Sequence, residues 1–260
     1  MSNEDVGVSM DGHVATVEIR RPPNNFLDLE LIAALASALE ALDGDANCRS
    51  VVLAAAGKHF CAGANLMKRM DDAAEGRPVV VQRRHLYHEA QRLVKTRKPI
   101  VAAVHGSAIG AGLGLALVAD FRVSCQEARL AANFAALGYH PGFGMTATLP
   151  RVVGHQRAQW LFYTGRRVPG EEAYAMGLVD RLVAQDKVRE AAQEFAAELA
   201  QIAPLALQAT RATLRDDLIP AFRAATEREA FQQQWLRETD DFKEGVKASA
   251  ERRAAKFTGT

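Results

Sequence analysis

The chain has 260 residues, of which 48% are hydrophobic and 24% charged, with a formal net charge of +1. That is enough apolar material for one large domain, or one domain plus an appendage, and it excludes a disordered chain. The even charge balance excludes a broad basic face for nucleic acid and a polybasic membrane anchor.

The cysteines Cys48, Cys61 and Cys125 have no Cys-x-x-Cys spacing. Neither a disulfide framework nor a zinc ribbon is indicated, and a reducing cytoplasm is the expected compartment. The first twenty residues are acidic and lack an uninterrupted apolar core, so no signal peptide is expected there.

Alternating apolar and polar residues in HVATVEIRR predict a half-buried strand, broken by PPNNF. LDLELIAALASALEALDGDANC predicts an amphipathic helix closing at Gly44. RSVVLAAAG is a nearly continuous apolar run, as in a strand covered on both faces. GKHFCAGANL follows, and then a charged stretch with turn signals at Gly76 and Pro78. VVVQRRHLYHEAQRLVKTRKP has helical spacing up to Pro99; PIVAAVHG predicts a second buried strand and FRVSC a third.

A strand–glycine loop–helix unit therefore occurs twice, over 50–70 and 99–120, which argues for an α/β fold with parallel strands. From Pro204 on, the pattern is helical as far as Phe257, with Leu218, Phe222, Trp235 and Leu236 spaced to form apolar stripes. The expected division is an α/β core over 1–200 and a helical C-terminal region over 201–260 that serves in oligomerisation.

Residues 100–119 carry no Asp, Glu, Lys or Arg and approach the length of a membrane span. Their β-like start, His105 and repeated glycines point instead to a buried strand, turn and helix. Within them, Gly106, Gly110, Gly112 and Gly114 crowd into the start of the predicted helix. A phosphate loop lacks its Lys-Ser/Thr pair, and for a dinucleotide fingerprint the third glycine comes one residue early. Ser107 as a nucleophile elbow lacks the second glycine.

Two readings remain open on spacing alone. The small residues serve close helix–sheet packing, or two turns, one here and one at Ala62, Gly63 and Ala64, present backbone N–H groups to a carbonyl oxygen that becomes an enolate.

GKHFCAGANL, followed some forty residues later by PIVAAVHGSAIGAGLGLALVAD, resembles the crotonase (enoyl-CoA hydratase/isomerase) superfamily. RRPPNNFLD, LGYHPGFG, LPRVVG, AYAMGLVDRLV and FKEGVKASAERRAAKF extend that resemblance along the chain in the family's order.

The resemblance implies a crotonase-like spiral of ββα repeats with a C-terminal helical region, assembled as a homotrimer or dimer of trimers. It implies an acyl-CoA thioester as substrate and no separate cofactor, coenzyme A being part of that substrate. It also implies two oxyanion donors, the N–H groups of Ala64 and Ala111. Ala62, Gly63, Leu66 and Gly110 would line the same turns. Lys58, Lys68 and Arg69, with Lys243 and Lys256 in the tail, are candidate partners for the CoA phosphates, or else ordinary surface cations.

The sequence departs from the hydratase pattern where the resemblance places two glutamates. One position is Gly114 and the other Phe134. The aspartate of some dienoyl-CoA isomerases would align with Gly142, and Asn65 stands where the family often has aspartate. Paired carboxylates suit water addition because their environments split their proton affinities, so standard hydration is not expected here.

His140 is the first choice for an acid or base, with Tyr139 behind it; a loop histidine bonded to backbone is the alternative. His85 and His88 fall one turn apart, as a metal pair or a solvated face. Cys61 is either a thiol nucleophile or small-residue packing. Phe134, Tyr139 and Phe143 suggest an apolar or cyclic acyl group. The expected function is an acyl-CoA-processing enzyme of the hydratase/isomerase family. Its alternatives are an acyl-CoA hydrolase, decarboxylase or carbon–carbon lyase using His140, or a non-catalytic acyl-CoA binder.

Overall fold

The computed structural model describes residues 4–66 and 86–260. Lys68, Arg69 and His85 lie outside them. The chain opens with a hairpin. β1 (Val6–Asp11) pairs antiparallel with β2 (Val14–Ile19) across Gly12, which has a positive φ. The predicted strand HVATVEIRR is β2; β1, before it, was not anticipated, although Asp-Gly is a strong hairpin signal.

α1 (Leu29–Gly44) begins where the Asp28 carboxylate accepts from the Leu31 N–H at 2.8 Å, satisfying one orphan donor of the first turn. β3 (Ser50–Ala55) and, after α2 (Leu86–Val94), β4 (Ile100–Val104) are buried at every position. That explains why their sequences run apolar without alternation: both faces are covered.

Residues 100–119 divide among β4, a three-residue β5 (Ser107–Ile109) and a short α3 (Ala111–Ala116). Among the described residues no helix is long and apolar enough to cross a membrane.

β6 (Phe121–Ser124) follows, then β7 (Arg129–Ala131), α4 (Met145–Val153), α5 (His155–Thr164), β8 (Val168–Pro169), α6 (Gly170–Ala175), β9 (Arg181–Leu182) and α7 (Val188–Ala200). One sheet runs β1-β2-β3-β4-β6-β9, parallel from β2 onward; a smaller sheet runs β5-β7-β8. α7 packs on the large sheet and fastens to it by hydrogen bonds from the Ser50 hydroxyl to the Ala196 carbonyl (2.7 Å) and from Thr16 to Gln193 (3.3 Å).

Beyond residue 200 the chain is helical, but in three pieces: α8 (Pro204–Leu214), α9 (Leu218–Leu236) and α10 (Asp240–Glu251). The Thr239 hydroxyl accepts from the Phe242 N–H and restarts the chain as α10. Arg252 takes a left-handed conformation and ends it, so the tail to Thr260 is not the helix its spacing predicted. Leu218 and Phe222 of the predicted stripe are buried, whereas Trp235 is 54% exposed. The inward face of α9 is instead Leu218, Phe222, Thr226, Glu229 and Gln233, which places a carboxylate and an amide inside the protein.

Candidate active site

The PPNNF segment is the scaffold of the first turn. Asn25 is fully buried, and its amide Nδ2 donates to the carbonyls of Ala56 (2.8 Å) and His59 (2.7 Å), while its Oδ1 accepts from the Arg21 N–H at 3.0 Å. The Ala62 N–H then donates to Asn24, and the Gly63 carbonyl accepts from Leu27, both at 2.9 Å. Asn25→Ala leaves three part-buried backbone groups, the Arg21 N–H and the Ala56 and His59 carbonyls, without this partner at once. We expect it to destabilise the protein by about 3 kcal/mol in denaturant titrations; a loss below about 1 kcal/mol would contradict this role for the side chain.

The two small-residue turns meet through backbone. Cys61 donates to Ser107 and accepts from Ile109, both at 3.0 Å, forming a parallel bridge to β5. Only glycine fits at this crossing. A Cβ on Gly112 would stand 2.2 Å from the Cys61 carbonyl oxygen; one on Gly63 would stand 2.6 Å from that of Ile109 and 3.6 Å from the Ala111 nitrogen.

Gly63 also has φ +83°, a region that suits glycine. The glycines therefore bring the residue before Ala64 against the Ala111 nitrogen. Ala64 and Ala111 are both half-buried, and neither N–H donates to an acceptor among the described residues. The Leu66 N–H caps the first turn by donating to the Ala64 carbonyl at 3.0 Å, and Gly110 ties the second to Ala131 at 2.8 Å. Cys61 is fully buried, and burial pushes its thiol up to about 12, so it is packing and not a nucleophile.

The positions that the resemblance assigns to acid and base are not merely empty of carboxylates. A Cβ on Gly114 would stand 2.9 Å from Cβ and Cδ1 of Phe143. A Cβ on Gly142 would stand 2.2 Å from the Tyr87 hydroxyl and 2.5 Å from Gln233 Nε2. Phe134 is itself buried, and its Cζ lies 3.7 Å from where a Gly110 Cβ would be, next to the second turn.

His140 is half-buried in the loop between Gly138 and Met145. Its Nδ1 bonds the Pro141 carbonyl at 2.8 Å. A carbonyl only accepts, so Nδ1 carries the hydrogen and the neutral ring keeps its lone pair on Nε2. The preceding Tyr139 is buried against the Phe242 ring, with centroids 4.8 Å apart, and its hydroxyl accepts from Arg237 at 2.5 Å.

Sequence reasoning missed the groups that hold this loop. Gln233 Nε2 donates to the carbonyls of His140 (2.9 Å) and Pro141 (3.3 Å), and its Oε1 accepts from the Tyr87 hydroxyl at 2.8 Å. Glu229 accepts from the N–H groups of Gly144 (2.7 Å) and Thr146 (3.0 Å) and from the Thr146 hydroxyl (2.7 Å). The signal was the spacing of Phe222, Thr226, Glu229 and Gln233 along one helical stripe; its polar members look like surface until the stripe is known to face inward.

Burial pushes the Glu229 carboxyl up to about 7, against the opposing pull of the Thr146 and Gly144 donors. The folded state thus holds this proton more tightly than the unfolded chain does. Its contribution to stability is full below the ordinary carboxylate range and is lost as pH rises through about 7. Glu229→Gln should flatten the melting temperature across that window; an unchanged pH profile would contradict the assignment.

Lys58 is exposed at the rim of the first turn, where its carbonyl oxygen lies 2.3 Å from a Cβ placed on Gly106. Lys256 is exposed in the tail, with its backbone N–H on Glu244. Lys243 pairs with Asp240 at 2.9 Å, and His88 is exposed on α2. Among the described residues no cluster of His, Cys, Asp and Glu is placed to hold a metal ion.

The enoyl-CoA hydratase/isomerase family model matches residues 9–260. The crystal structure of an enoyl-CoA hydratase/isomerase from Pseudoalteromonas atlantica superposes with a TM-score of 0.87 at 31% identity, over 98% of this chain and 100% of that one. The chain is 32% identical to a short-chain-enoyl-CoA hydratase of Clostridium acetobutylicum, covering 97% of both. It is 31% identical to the 1,2-epoxyphenylacetyl-CoA isomerase of Escherichia coli, covering 95% of both. Matched from end to end in sequence and in fold, the chain belongs to the enoyl-CoA hydratase/isomerase family, the crotonase superfamily, and is an enzyme of that family acting on acyl-CoA.

Proposed function

We propose that the protein converts an acyl-CoA through an enolate whose oxygen rests between the N–H groups of Ala64 and Ala111, with His140 as the proton carrier. The observation that carries this reading is the backbone junction of the two turns: small residues on both sides, and two half-buried N–H groups with no acceptor among the described residues. Donors fixed by a rigid scaffold need no reorganisation when charge develops on the oxygen, which is why such sites lower barriers.

His140 is the acid–base candidate because Nε2 keeps its lone pair and no carboxylate stands at 114, 134 or 142. Those same absences count against glutamate-activated water and single-glutamate isomerisation alike, and favour hydrolysis, decarboxylation or carbon–carbon cleavage using His140.

In this reading Lys58 and Lys256 serve the CoA phosphates, and Ala62, Gly63, Leu66, Gly110, Phe134 and Tyr139 line the thioester and acyl end. Residues 201–260 serve in assembly as a homotrimer or dimer of trimers. In support, Leu205, Leu214, Phe231 and Trp235 of that region are large, apolar and exposed.

The test is exchange. Incubated in heavy water with acetyl-CoA and crotonyl-CoA, the enzyme should incorporate deuterium next to the thioester carbonyl. Binding of these esters without exchange would contradict an enolate held between the two N–H groups, and tight binding with no conversion of any acyl-CoA in a panel would favour a non-catalytic binder.

A further inference from the structure

Phe143 is the one residue of the 138–146 loop whose backbone conformation works against its side chain. Its φ is +63°, a region that costs a residue with a Cβ roughly 1–2 kcal/mol and that glycine adopts freely. Yet it stands between two glycines, Gly142 and Gly144, either of which would tolerate that conformation. Strain of this kind persists only where the surroundings over-determine it, and it clusters at functional sites.

The surroundings can be named. Gly144 has φ +68°, its N–H is held by Glu229, and a Cβ there would stand 2.2 Å from the Phe222 ring. A Cβ on Gly142 would collide with Tyr87 and Gln233. A side chain at 142 would have to displace the Tyr87 hydroxyl and the Gln233 amide, and one at 144 the Phe222 ring, whereas the ring at 143 displaces none of these.

The ring is 1% exposed and fills the space beside Gly114. Gly114 lies three residues after Ala111 on α3, so the two share one face of the helix, one turn apart. The ring therefore lies against the same helix face as Ala111, one turn further along α3. A carboxylate at 114 is excluded by the ring; one at 142 is excluded by Tyr87 and Gln233.

We propose that Phe143 is the specificity-determining residue of this acyl-CoA site: pressed against Gly114 by the Glu229-anchored turn, its ring limits the size of the acyl group and keeps water from the carbons next to the thioester. This rests on the placement of the thioester between Ala64 and Ala111. Glu229 is a positioning residue that acts only through the turn.

Two measurements test the inference, and the first needs no ligand. In a cycle of Gly114→Ala, Phe143→Gly and the double variant, Gly114→Ala should lower the melting temperature by several degrees in the wild-type background and by little in the Phe143→Gly background, where the whole side chain is gone. Equal effects in both backgrounds would show that the ring does not press on Gly114 and would overturn the proposal. Phe143→Ala keeps the Cβ that stands 2.9 Å from the same point and should relieve only part of the loss.

The second compares acetyl-CoA with phenylacetyl-CoA by calorimetry. Phe143→Ala or Phe143→Gly should shift the ratio of the two dissociation constants at least tenfold toward the bulkier ester. An unshifted ratio would overturn the role in specificity. A wild-type protein that binds neither ester, with the melting cycle as expected, would sink the functional reading while leaving the steric interlock standing.

Discussion

Ala111→Pro lowers acyl-CoA turnover about 1000-fold, the upper end of what loss of one oxyanion donor costs, and leaves the protein folded. The substitution replaces the N–H by a ring methylene at the same place. Position 111 is the first residue of α3, where proline's fixed φ suits the helix and the lost N–H serves no helical bond. Circular dichroism and melting would report the fold, and turnover the donor. Near-wild-type turnover in a folded variant would mean that the oxygen is held elsewhere.

His140→Ala lowers turnover about 100-fold, the lower end for a positioned acid or base, while binding of the CoA ester changes little. The imidazole is oriented by its own neighbour, since donation from Nδ1 to the Pro141 carbonyl fixes which nitrogen can take a proton. Gln233 fixes the backbone of the same residue. Because Gln233 binds backbone carbonyls, truncating the imidazole leaves the loop's anchors in place, so an effect on turnover is chemical. If His140→Ala exchanges the acyl α-hydrogen as fast as the wild type, the histidine is a loop residue and the proton carrier is another group.

The parts of this molecule that were legible in its sequence are those whose physics is local. α1 announces itself by its 3.6-residue apolar period, its Asp28 cap and its Gly44 stop. β3, β4 and β6 read as strands because buried parallel strands have no polar face to interrupt them. The glycines of both turns were visible as punctuation. The reason for Gly63, Gly106 and Gly112, a carbonyl 2.2–2.6 Å from each missing Cβ, lies in contacts between segments about fifty residues apart.

β8 and β9, two residues each, have no period to detect and exist by pairing with strands already in place. The predicted helical tail was broken at Arg215–Asp217 and again at Arg237–Thr239, where polar residues permit a turn without demanding one. Glu229 and Gln233 were invisible as site residues. Their partners lie roughly 85–145 positions away in the chain, and only folding turns that face of α9 toward the loop.

The measurement that goes straight to the central claim is a crystal structure of the complex with an acyl-CoA. The account predicts the thioester oxygen within hydrogen-bond reach, about 3 Å, of both the Ala64 and the Ala111 nitrogens. An acyl-CoA bound with its carbonyl turned away from that pair would contradict it.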